Sequence, residues 1–138
     1  MATYTGGDSL EVTYNHPTLG SGIFDTKAAE TATYDLGGIR NNDDANGITG
    51  GGAVIRIKNR VRPFFEVVIA VDFTAIGDTL EKLNELAASP VEATWTISNI
   101  NGGVYQLVGN IVGDIQLDTN ASTLTIKVDG SNRMLKIA

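Results

Sequence analysis

Cysteine is absent from this 138-residue chain. That absence removes disulfide scaffolds, thiol nucleophiles and zinc ribbons together. Histidine occurs once, as His16 within NHPTLG, a segment with the composition of a turn. No GxSxG or comparable nucleophile motif stands ready to use it, so it reads as a turn residue rather than a base. Basic residues are in deficit: ten Lys and Arg face sixteen Asp and Glu, giving a net charge of −6 and a pI near 4.6. A general nucleic-acid binder neutralises phosphates with the opposite balance. No apolar run approaches membrane-spanning length, and the opening MATYTGGDSLEV lacks a basic segment followed by an apolar one. The sequence therefore predicts neither a membrane anchor nor a signal peptide here, and no insertion into a membrane.

What is present is the material of one globular domain over residues 1–138, with 42% hydrophobic content and enough length to bury a core without a covalent or metal staple. Short runs rich in Val, Ile, Thr and aromatics are separated by Gly, Asn and Asp clusters, the punctuation of β-structure. Strands are expected near 10–14, 31–36, 53–59, 64–71, 91–98, 104–112 and 123–129, with a weaker one near Met134. In VEATWTIS the alternation places Val91, Ala93, Trp95 and Ile97 on an inner face, and in STLTIKVD it places Leu124, Ile126 and Val128 there. Asn101-Gly102 suits a tight turn, so residues 91–112 read as a hairpin. FFEVVIAV is apolar at almost every position, which predicts a central strand covered on both faces. One helix, about 79–88, would cover it. Asp78 stands where an N-cap belongs, Glu81 follows three residues on, Leu80, Leu83, Leu86 and Ala87 share one face, and Pro90 ends the run. The expected fold is mostly β: an antiparallel sandwich or barrel of about 7–8 strands with one packed α-helix and a long, polar, glycine-rich loop over 41–52.

That loop reads NNDDANGITGGG: Asn41, Asn42, Asp43, Asp44, Ala45, Asn46, Gly47, then Gly50, Gly51 and Gly52 after Ile48 and Thr49. As a calcium loop it would use Asn42, Asp44, Asn46 and Gly47 at positions one, three, five and six. Ala53 then stands where the bidentate glutamate is required, and the flanks are strand-like. As a phosphate cradle it lacks a following Lys-Ser or Lys-Thr, and its aspartates repel anions. Neither a cofactor nor a metal is expected. A loop of this length needs a purpose beyond joining strands, and an arm that engages another molecule supplies one. Directly after it, AVIRIKNRVR sets Arg56, Lys58, Arg60 and Arg62 at every second position, one basic strand face. Such a face either protects an edge from pairing or meets an acidic partner. Catalytic pairs are not evident. Asp43 and Asp44 are adjacent, Glu81 and Glu85 are one helical turn apart, and Glu66 in the apolar strand sits either at a subunit boundary or against an arginine.

Taken in order, LEVTYNHPTLGSG, then NNDDANGITGGGAVIRIKNR, then DTLEKLNELAASPVEATWTISNINGGVYQLVG resemble the tail tube proteins of contractile-tailed bacteriophages and related contractile injection systems. The likeness is one of element order across residues 10–129. It implies a structural virion protein and no enzyme. Six copies would form a ring, the rings would stack into a hollow tail tube, and genomic DNA would pass through the lumen during ejection without specific binding. It also implies sheath and baseplate proteins as partners and assembly in the host cytoplasm. The loop at 41–52 would reach an adjacent ring, with Arg56, Lys58, Arg60 and Arg62 as a basic interface, and the polar rows Thr94, Thr96, Ser98 and Thr123, Thr125 are candidates to line the lumen. Two other readings belong to different classes: a carbohydrate-binding or adhesion β-sandwich that uses the acidic loop for an ion, against which only Tyr4, Tyr14, Tyr34 and Tyr105 could form an aromatic platform, and another phage head or tail component.

Overall fold

A computed structural model of the chain describes residues 3–72 and 79–138. Strand β1 (Ser9–His16) turns through the predicted NHPTLG segment into β2 (Gly20–Asp25), and β3 (Thr33–Asp35) follows. Four short strands, β4 (Gly38–Asn41), β5 (Gly47–Ile48), β6 (Val54–Ile55) and β7 (Lys58–Val61), then pair among themselves before β8 (Phe64–Ala70) re-enters the main sheet. Helix α1 (Thr79–Ala88), β9 (Ala93–Asn99), β10 (Val104–Val112), β11 (Thr123–Gly130) and β12 (Leu135–Lys136) complete the order.

The main sheet runs β2-β1-β9-β10-β11-β8-β3, antiparallel throughout, with β12 added to β10. Just beyond β2, Thr26 bridges Ile69 of β8, and the Lys27 amide donates to the Val68 carbonyl at 3.0 Å. The two ends of the sheet therefore meet, and it closes into a barrel. Closure removes the open edges that an eight-stranded sheet would otherwise present. Side chains alternate as period two requires. Val12 and Tyr14, Phe24, Phe65 with Val67 and Ile69, Trp95 with Ile97, Leu107 with Ile111, and Leu124 with Ile126 and Val128 fill the interior. Trp95 lies among Tyr14, Phe24 and Phe65, with ring centroids 5.7–6.5 Å apart, and its indole N–H donates to the Gly109 carbonyl at 3.0 Å.

The expected helix forms over Thr79–Ala88, and Leu83 and Leu86 are buried in the same core. Asp78, the proposed cap, lies outside the described residues. The helix does not lid a doubly covered strand, because β8 alternates like its neighbours. Phe65, Val67 and Ile69 point in, whereas Glu66 and Ala70 are exposed. The outward apolar residues have local cover instead: the Lys127 ammonium sits 4.5 Å from the Phe64 ring centroid, and Glu66 lies opposite Lys127 in the β8–β11 register. Glu66 forms no ion pair with an arginine among the described residues, and its exposed carboxylate stands on the outer wall.

Strands β2, β4 and β5 are not among those the sequence predicts. GSGIFD and GIRN are too short and too glycine-rich to declare themselves, and tertiary pairing supplies what propensity does not. The strand expected at 91–98 starts two residues late, at Ala93, and leaves Val91 exposed. The Val91 carbonyl is used elsewhere. His16 is buried, its Nδ1 accepts from the Thr18 and Leu19 amides at 3.1 and 3.0 Å, and its Nε2 lies 2.9 Å from Ser89 Oγ and 3.1 Å from Val91 O. Two backbone donors on Nδ1 place the ring proton on Nε2. His16 thus ties the first hairpin turn to the exit of α1, a structural role within the turn where it was expected.

At the other end, the Tyr34 hydroxyl donates to Asn99 Oδ1 at 2.5 Å and is also bonded to Ser9 Oγ, with Tyr105 packed beside its ring. Burial pushes the Tyr34 phenol above its ordinary value, and the Ser9 bond opposes this in part. One contact limits the whole barrel. Gly109 and Gly130 face each other where β10 and β11 begin to pair, and a methyl group on either would collide with the carbonyl of Asp129 or Val108. Gly109→Ala should therefore lower stability by about 3 kcal/mol through overpacking. Urea denaturation should show a lower midpoint at unchanged slope; an unshifted midpoint would mean that the strands separate freely.

Candidate functional site: a projecting hairpin arm

Residues 38–61 are not a loose loop with one basic strand. They form a two-stranded arm: β4 pairs with β7, and β5 pairs with β6, beyond an irregular middle section. Its strands pair with no others, and from Ile39 to Arg60 every residue except Asn46 is exposed. Backbone groups that a polar loop would leave to water are instead paired within the arm. The Asn42 amide donates to the Ile57 carbonyl at 2.8 Å, and Asn46 Oδ1 accepts from the Ile57 amide at 2.8 Å. Asn42 Nδ2 bonds Asn59 Oδ1 at 3.1 Å. Asp43, Asp44 and Ala45 bulge out between these two asparagines, whose side chains act as structural brackets and are thereby engaged rather than free as cation ligands. At the tip, Thr49 bonds both ends of Ala53, and Gly50, Gly51 and Gly52 make the turn between them.

The four cations do not share one strand face. Lys58 and Arg60 do, on β7, beside Asn41 and Ile39 on the paired strand. Arg56 falls in the break between β6 and β7, and Arg62 lies beyond β7 and pairs with Asp129 at 2.9 Å. The strand expected over 53–59 is thus interrupted, because Asn46 captures the Ile57 amide that would have continued the ladder. Arg56, Lys58 and Arg60 form no ion pair among the described residues. Sequence reasoning also missed the arm's apolar content. Ile39, Ile48, Val54, Ile55 and Ile57 are all exposed, Ile48 at 71%, and their hydrophobicity could have been noticed as lacking a core to enter.

A rigid base aims the arm. Gly37 has φ +70°, and a side chain there would meet Pro63 N at 2.6 Å and Val61 O at 2.7 Å, so the chain leaves the barrel through a position only glycine fits. Asp35 accepts from the Gly37 amide at 2.9 Å and from Arg40 Nη1 at 3.0 Å, and Arg40 Nη2 completes the fork.

The polar rows both lie on the outer wall, but apart. Thr94, Thr96 and Ser98 on β9 lie opposite Asn15, Thr13 and Glu11 of β1 and Val108, Gln106 and Val104 of β10, whereas Thr123 and Thr125 stand on β11 opposite Ala70 and Val68. The surface depression over the first row is lined by Thr13, Asn15, Ser21, Thr94, Thr96 and Gln106 among others, with no acid, base or histidine in it. No exposed aromatic platform exists among the tyrosines. Tyr14 is buried, Tyr34 and Tyr105 are half-buried against each other, and Tyr4 alone is open, at 96%. No helix among the described residues is long and apolar enough to cross a membrane.

The Arg40 guanidinium, and after it the Gly37 amide, hold the Asp35 carboxyl below the ordinary aspartate range. A depressed folded pKa means the clasp is intact above the unfolded aspartate pKa and is lost as pH falls through the folded value. In an acid titration followed by NMR, the Gly37 amide and the Arg40 side chain should move together, with a midpoint below that of an unstructured aspartate. Arg40→Gln should bring the midpoint up; a midpoint indifferent to that change would reject the clasp. No protein-family model matches the sequence, and the search of curated proteins finds no match.

Proposed function

We propose that the chain is a structural subunit that assembles with copies of itself, and that the assembly is the hollow inner tube of a contractile phage tail or related injection device. The observation that carries this reading is the arm: an ordered, exposed hairpin bearing five aliphatic residues and three cations that form no ion pair among the described residues, on a barrel that is already closed. A monomer gains nothing from exposing such a surface, and burial against another subunit is its physical use. The closed barrel supports a structural role as well, since the depression over β1, β9 and β10 is lined mainly by hydroxyl and amide side chains.

In the proposed assembly six barrels form a ring, and the arm spans to the next ring. The polar rows Thr94, Thr96, Ser98 and Thr123, Thr125 remain the candidates for the lumen, where neutral hydroxyls in an acidic protein would let DNA pass without binding its phosphates. Sheath and baseplate proteins would be the outer partners, and the virion tail its place. The arm is the test. Deleting 41–52 should preserve the far-ultraviolet circular dichroism of the barrel, because the core lies outside the arm, and abolish ordered assemblies in negative-stain electron microscopy across a concentration series. Wild-type rings or tubes with sixfold end views, lost on deletion, are the expected result. Normal tubes from the deletion variant would remove the arm from the assembly.

A further inference from the structure

The outer wall contains an electrostatic mismatch that the barrel by itself does not resolve. Glu11 of β1 and Asp25 of β2 are directly opposite in the register, both outward, and like charges in that arrangement repel. Neither forms an ion pair among the described residues. A shift in register between Ser9 and Glu11 turns Leu10 outward, where it is half-exposed, and Ile23, two residues before Asp25 on the same face, is likewise open. The result is a patch of two carboxylates flanked by two aliphatic side chains. The arm presents the inverse: Ile39 and Arg60 are paired across β4 and β7, with Lys58 on the same face. Charge is divided in the same way over the whole chain. The arm holds four cations and two carboxylates, and the rest holds six cations and fourteen carboxylates.

We infer that the Leu10, Glu11, Ile23 and Asp25 patch is the surface on which the Ile39, Lys58 and Arg60 face of a second copy's arm docks. The inference rests on the self-assembly proposed above and adds the identity of the receiving surface. The partner is a second copy because neither set finds an ion-pair partner among the described residues of its own chain, and because the complementarity is both electrostatic and apolar. Ion pairs formed there are less screened than pairs on an open surface, a gain that desolvation of the charges offsets in part, so they chiefly select the contact. The repulsion between Glu11 and Asp25, a small cost to the monomer, becomes a preference for the assembled state.

Charge reversal with compensation tests this. Lys58→Glu with Arg60→Glu, and separately Glu11→Lys with Asp25→Lys, should each raise the concentration needed for assembly at least tenfold in sedimentation velocity. Combining all four substitutions should restore it to within about threefold of wild type. Asp25→Asn provides a second readout, because it removes the repulsion: it should raise the monomer melting temperature by about 2 °C while weakening assembly. Loss of assembly on arm reversal alone, with the wall variant assembling normally and the combined variant unrescued, would overturn this surface while leaving self-assembly standing. A wild-type chain that stays monomeric at every concentration would overturn both.

Discussion

Trp95 has to bury a large ring and satisfy an N–H donor at once, and the rest of the structure follows from how that is done. Its ring occupies the barrel interior between Tyr14, Phe24 and Phe65, and its donor ends on the Gly109 carbonyl. Such aromatic contacts each add about 0.5–1.5 kcal/mol beyond area burial. The three surrounding rings come from β1, β2 and β8, strands at the two ends of the sheet path, so packing on Trp95 draws those ends together. The bridge between Thr26 and Ile69 is the backbone consequence. On the opposite side, Gly109 and Gly130 let β10 and β11 approach closely where their pairing begins.

Closure decides what is left for the remainder of the chain to do. With its strands consumed in a ring, the barrel has few edges to offer another subunit, and contacts with a partner must come from side chains on the wall or from something that leaves the wall. The arm leaves it. It departs at Gly37 and returns at Pro63, both held by the clasp of Asp35 with Arg40 and by the tight approach of Gly37 to Val61 and Pro63. Direction is therefore imposed where the arm begins, and its internal hydrogen bonds carry that direction outward. An arm ordered in advance loses less conformational entropy on docking than a loop that must fold on contact, which suits the repeated geometry of the proposed assembly.

The distribution of charge makes the same division. In the proposed assembly an acidic body with a cationic arm would repel other copies body to body and attract them arm to body, favouring one contact over the other. In the proposed tube the same acidic balance would keep a passing polyanion from adhering.

Much of the barrel was legible because its strands obey a local rule. The alternation in ATWTISN and TLTIKVDG, the Asn101-Gly102 turn and the bounds of α1 are all set by residues within a few positions of one another, and all stand in the structure. FFEVVIAV misled because near-continuous apolarity does not reveal which alternate residues lose water; the pairing of β8 with β11 and β3 settles that. The arm was read as loop because asparagine and glycine are poor strand formers, yet Asn42 and Asn46 serve there as hydrogen-bond brackets, a use visible only once Ile57 and Asn59 stand opposite. By itself the sequence determined the class of fold, the inner faces, the helix and the concentration of cations near residues 56–62, because periodicity, turn chemistry and charge are properties of neighbouring residues. Only the tertiary structure decided the closure of the barrel, the pairing that makes the arm, and the placing of Glu11 against Asp25, because each joins residues far apart in the chain, whose meeting depends on the packing of the whole.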